Sequence, residues 1–204
     1  MEITDVSGRP NPIQDVVGFI TTLQWTTFVF WLLLIASAAI AVSLWRRNPG
    51  ERSARNIGIW LLRLIVGVMW WQQSLWKIPP NYDGLIHWMK EMVDHASTTV
   101  QSALVDQFVL PNIAIFGPLV YLVEVAIGIS LMLGLLTRLG AILGTLMAVN
   151  LWLGLYSAPG EWPWTYFFLI VIQALFVIDP PGLSLGADVL INLRRHSPRV
   201  TQAT

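Results

Sequence analysis

Polar residues thin out five times along this chain, each time for long enough to cross a bilayer. The apolar runs cover residues 16–45, 57–76, 113–136, 139–157 and 164–178, and about 18 apolar residues suffice to span a hydrocarbon core as a helix. The fifth is the shortest and ends at Asp179. Asn48-Pro49-Gly50 is a turn signal after the first run, which therefore reads as an addition to a compact four-helix core beginning at Ile57. Between the second and third runs lies the longest link. There Leu85, Trp88, Met89, Met92 and Val93 recur at helical spacing, with Asp83, His87, Lys90, Glu91 and Asp94 largely opposite. This pattern predicts a short amphipathic helix in the outer membrane interface.

Within the spans, the few polar positions fall on faces. Arg63, Gly67, Trp70, Ser74 and Lys77 follow at steps of four, three, four and three, with Gln73 beside them, and Gly117, Tyr121, Glu124 and Gly128 at steps of four, three and four. Each set shares one helix face, and their small residues allow two such faces to approach closely. Glu124 needs explaining most, because an acid at the centre of a membrane helix costs roughly 2.5–3.5 kcal/mol and is too short to reach the headgroups. Either desolvation keeps it protonated, or it has a cationic partner, for which Arg63 is within reach. That pair reads equally well as a staple fixing helix register and as a proton-handling site beside an aromatic slot of Trp70, Trp71, Tyr121 and Trp152. A flat quinone ring suits such a slot, with Gln73, Lys77 and Asn150 as polar contacts. Asn150 and Gln173 otherwise read as interhelical hydrogen bonds.

Composition agrees with the pattern: 55% of the 204 residues are hydrophobic and 12% charged, with mean hydropathy +0.62, against about 25% charged in globular domains. The expected surroundings are lipid. A net charge of zero argues against nucleic acid. Arg46, Arg47, Arg52, Arg55, Arg138, Arg194, Arg195 and Arg199 fall on one set of alternate loops, and Arg9, Lys77 and Lys90 on the other. Eight against three places the amino terminus outside and the carboxyl terminus in the cytoplasm. Glu2, Asp5 and Asp15 beside a single Arg9 do not resemble a cleavable signal, so the first span reads as an anchor.

The chain has no cysteine, which excludes disulfides, iron–sulfur clusters and thiolate chemistry by its own residues. None of His87, His95 and His196 lies in an expected span, so haem is not expected. His87 and His95 are about 12 Å apart along a helix, too far to share one metal. No Walker motif, GxGxxG or Ser/His/Asp grouping is present.

Several of these residues also carry a resemblance. Arg63, Gly67 and Lys77, then Glu124 followed by Gly128, Leu131 and Gly134-Leu135-Leu136-Thr137-Arg138, and finally Gly182-Leu183-Ser184-Leu185 with Asp188, resemble the DoxX/DoxD membrane family across residues 57–190. Ser74 stands where that family's pattern has Gly. The resemblance implies a prokaryotic cytoplasmic-membrane protein with a four-helix core. Some relatives form the membrane subunit of a thiosulfate:quinone oxidoreductase, and others accompany sulfur or oxidative-stress proteins. The expected fold is all-α: a polytopic membrane helix bundle whose DoxX-like core (57–190) is preceded by a terminus, an extra span and a basic loop (1–56) and followed by a basic tail (191–204).

The functional expectation is a quinone-binding membrane subunit of a redox-linked complex, with Glu124 and Arg63 as catalytic pair and the sulfur donor brought by a partner. The competing expectation is a non-catalytic subunit of a respiratory or photosynthetic assembly, docked through the helix from Val16 to Trp45. A carrier or channel fits less well, since broken helices and inverted repeats are missing.

Overall fold

The computed structural model describes residues 12–196, with side chains except those of Pro12, Gln14 and residues 193–196. Glu2, Asp5, Arg9 and Arg199, used above for charge, lie outside the described residues, as do the side chains of Arg194, Arg195 and His196. All regular structure among the described residues is helical.

The first expected span divides into two helices, α1 (Pro12–Thr21) and α2 (Trp25–Arg47). The hydroxyls of Thr21 and Thr22 donate to the carbonyls of Val17 and Gly18, and this local bonding competes with continuation of the helix. Thr27 and Trp31 of α2 then donate to the carbonyls of Phe19 and Ile20, tying α1 back onto its neighbour.

Ser53 opens α3 (Ala54–Ser74), its hydroxyl accepting from the Asn56 amide, as an N-cap should. A 3₁₀ turn over Leu75–Lys77 closes it before Pro79-Pro80. The outer link holds two helices rather than the one expected, α4 (Asp83–His95) and α5 (Thr99–Leu104). Leu85, Met89 and Met92 of α4 are buried, as the periodicity predicts. A π turn over Val105–Val109 and a 3₁₀ turn over Leu110–Asn112 carry α5 directly into α6 (Ile113–Leu133). Gly134, at φ +69°, ends α6 in the left-handed conformation that glycine adopts without penalty. α7 (Thr137–Gly154), α8 (Pro163–Ile178) and α9 (Ala187–His196) complete the order.

Among the described residues, three helical stretches are long and apolar enough to cross a membrane: Trp25–Arg47, Thr99–Leu133 and Thr137–Gly154. α8 is as apolar but has 16 residues. α3 has 21 residues, with a hydropathy diluted by Arg63, Gln72 and Gln73. Both pack lengthwise on the longer helices, α3 on α6 and α8 on α7. One core joins Val66 and Trp70 of α3 to Ile127 and Leu131 of α6, Ala141 of α7 and Phe176 of α8. α2 fills the groove on the other flank, where Phe30 meets Trp71 and Met132. The outward surface of the helices is apolar, with Ile65, Leu119, Leu122, Leu146, Phe168 and Leu175 exposed. That surface suits lipid.

Candidate functional site

The α3–α6 seam is built on two glycines. A Cβ at Gly67 would lie 2.8 Å from the Met132 backbone nitrogen, and one at Gly128 would lie 3.0 Å from that of Trp71. The two backbones therefore touch, as small-residue seams in membranes allow. The buried residues of α3 are Arg63, Val66, Gly67, Trp70, Trp71 and Ser74, and those of α6 include Gly117, Glu124 and Gly128. The two faces read from spacing do meet.

Their charges pair differently from the expectation. Lys77 Nζ donates to both carboxylate oxygens of Glu124 at 2.5 Å, and both side chains are buried. Arg63 is not the partner. Its Nη1 donates to the carbonyls of Leu131 and Met132, at 2.5 and 3.1 Å, near the carboxyl end of α6. The antiparallel register explains the correction: Gly67 lies against Met132 and Trp71 against Gly128, so the level of Glu124 on α3 is near residue 75. Arg63 is about 18 Å below that level at 1.5 Å per residue.

The pair sits under a cover. The Trp76 ring centroid is 4.4 Å from Lys77 Nζ, a cation–π distance. The Tyr82 ring lies on Gly117, where a Cβ would come within 2.7 Å of it, and Gly84 lies against the Trp76 ring. Two aromatic contacts thus draw the start of α4 over the Lys77 end of the seam. Ser74 is fully buried beside it and donates to the Trp71 carbonyl at 2.7 Å.

The four-ring slot is not assembled. Trp70 points into the α6–α7–α8 core and Trp71 towards α2, because adjacent helical positions are about 100° apart. Trp152 stacks with Tyr156 and Phe167 between α7 and α8. Asn150 Oδ1 accepts from Gln101 Nε2 at 2.8 Å, which commits it to the α5–α7 contact. Gln73 is exposed and accepts from Trp76 Nε1. Tyr121 is half-buried on the Glu124 face of α6. Of the candidate residues, Lys77 and Glu124 are the two that the fold brings into contact. At α4, His95 lies 3.2 Å from Glu91, and no group of three potential metal ligands gathers among the described residues.

A second polar cluster, unforeseen as a unit, closes the end of the bundle at the α6–α7 loop. Asp188 accepts from the amides of Leu136 and Thr137 at 2.7 and 3.0 Å and from the Thr137 hydroxyl at 2.7 Å. The Thr137 hydroxyl accepts in turn from the Gly182 amide. A Cβ at Gly182 would overlap Asp188 and Thr137, and one at Gly134 would overlap Arg63 and Gly186. Glu51, also buried, accepts from the Leu185 amide at 3.0 Å and from Asn56. Only the recurrence of Thr137, Gly182 and Asp188 in the family-like motifs signalled this cluster. Nothing signalled Glu51, whose partner Leu185 is 134 positions away.

Residues 58–157 match the DoxX family model. The chain carries a DoxX domain. The matched DoxX region runs from the first turns of α3 past the end of α7. It contains both partners of the buried ion pair and leaves α2, α8 and Asp188 outside. No curated protein and no solved structure matches the chain. With apolar helices and a DoxX core, this is a multi-pass membrane protein.

Proposed function

We propose that the chain is the membrane subunit of a redox-linked complex and binds a quinone headgroup at the Lys77–Glu124 pair. The observation that carries this reading is the pair itself: two opposite charges withdrawn from water near the outer end of the α3–α6 seam, with Trp76 over the cation. A staple could be made more cheaply from apolar residues of similar volume. Ionisable groups inside a membrane bundle mark binding and proton sites by default. With the positive-inside orientation, this end of the seam faces the extracytoplasmic side of a prokaryotic cytoplasmic membrane.

Quinone supplies an acceptor for two electrons and two protons. Lys77 would stabilise the headgroup oxygen on which charge develops, and Glu124, ionised in the resting pair, would take up a proton from solvent before passing it to that oxygen, the second proton reaching the reduced headgroup from solvent. The electrons come from a partner, because this chain has no cysteine to carry them. The DoxX resemblance suggests thiosulfate as donor: two thiosulfates joined by a new sulfur–sulfur bond release the two electrons. A non-catalytic assembly subunit is the competing reading, favoured by α2, which lies outside the matched region and exposes Phe28, Leu32, Ile35 and Val42.

The test is thiosulfate-dependent reduction of a soluble quinone analogue by the natively purified complex in mild detergent, with copurifying proteins identified. Loss of turnover in folded Glu124→Gln and Lys77→Met supports the quinone site. Normal turnover in both folded variants removes it. A large copurifying assembly without turnover moves the function to the structural reading.

A further inference from the structure

Two polar groups near the middle of the core have no hydrogen-bond partner among the described residues. They are the indole Nε1 of Trp70 and the carboxamide of Gln173, whose Nε2 and Oε1 are both unpaired. Trp70 is 1% exposed and Gln173 0%. Trp70 packs in one cluster with Ile127, Ala141 and Phe176, and Phe176 follows Gln173 by three residues on the same face of α8. The carboxamide rests on Gly144 of α7, where a Cβ would overlap it.

An apolar side chain would fill that position without desolvating an amide. Leaving a buried amide unpaired forfeits its hydration with nothing in return, and roughly nine in ten buried polar groups are satisfied in native structures. Gly144 makes room for this group at a helix–helix contact, where closer packing was the alternative. Neither Trp70 nor Gln173 carries charge, and Trp70 packs against the apolar Ile127, Ala141 and Phe176.

We infer that Trp70 and Gln173 together hold one neutral hydrogen-bonding group at the centre of the bundle: an internal water, or the far carbonyl of a quinone whose near end meets Lys77 and Glu124. Such a group accepts from the Trp70 indole and from Gln173 Nε2, and a water also donates to Gln173 Oε1, giving it the two to four partners that a buried water needs. By the α3–α6 register, residue 75 is level with Glu124, so Trp70 lies five residues, about 7.5 Å, from the ion pair along α3 toward Arg63. The quinone source rests on the proposed function; the water source does not.

The experiment is ¹⁵N-indole NMR of the full chain in lipid nanodiscs, with the Trp70 resonance identified by its loss in Trp70→Phe. Gln173→Leu and the volume-conserving Gln173→Met are each expected to move that resonance and lower the melting temperature. The melting shifts of Trp70→Phe and Gln173→Met are expected to fall short of additivity in the double variant. Titration with a soluble quinone analogue moves the resonance if the occupant is a quinone; saturation transfer from water reaches it if the occupant is water. An unmoved resonance in both Gln173 variants, with a raised melting temperature and additive effects, overturns the site. Retained turnover in folded Lys77→Met and Glu124→Gln removes the quinone reading of the ion pair and leaves the indole result standing.

Discussion

Truncating one member of the Lys77–Glu124 pair strands a desolvated charge, which costs about 3–5 kcal/mol in buried pairs, whereas replacing both with apolar residues is far milder. Thermal unfolding in detergent is therefore expected to show a large loss for Lys77→Met or Glu124→Leu and a smaller one for the double variant. A double variant as damaged as the sum of the singles would show that the two charges are not coupled. Arg63 is expected to behave independently: Arg63→Met forfeits bonds to the Leu131 and Met132 carbonyls, worth about 1.5–3 kcal/mol for a charged donor. Its effect should add to that of Glu124→Gln within about 0.5 kcal/mol. The sequence made Glu124 legible as a buried acid but not its partner. Depth counted from one helix start says nothing of how a second helix slides beside it, and the 12 residues between Arg63 and Leu75 follow from glycine contacts that only the fold displays.

The helices themselves were legible from hydropathy because lipid imposes their length, and the α3–α6 faces from glycine spacing because backbone contact demands it. Their ends were less so. The break at residues 22–24 depends on threonine hydroxyls bonding locally, and α5 lay hidden because Thr98, its cap, sits among polar residues that resemble a loop. The seam gives a paired expectation. Gly67→Ala forces a Cβ against the Met132 backbone, which cannot step aside, and should cost about 1–3 kcal/mol. Gly58→Ala, nine residues earlier in α3 and with nothing within 4 Å, should be neutral or gain up to about 1 kcal/mol from helix propensity. Melting curves of the two variants separate backbone contact from a general intolerance of α3.

Across the whole chain, orientation can be read directly, since a protein without cysteine accepts single labels cleanly. Ser97→Cys, exposed after α4, is expected to react with a membrane-impermeant maleimide on intact cells. Arg47→Cys, exposed at the end of α2, is expected to react only after permeabilisation, and the reverse pattern would invert the topology. The Asp188 cluster has a consequence for synthesis. Asp188 accepts from backbone amides of the α6–α7 loop and the Leu185 amide donates to the Glu51 carboxylate, yet both are synthesised after α1 to α8. Until then the amides of Leu136 and Thr137 have no acceptor, so a nascent chain is an unlocked bundle however many helices it has inserted. The segment that follows Ile178 acts as the completion signal, and a product stopped after Ile178 is the form that membrane quality control would meet as unfinished.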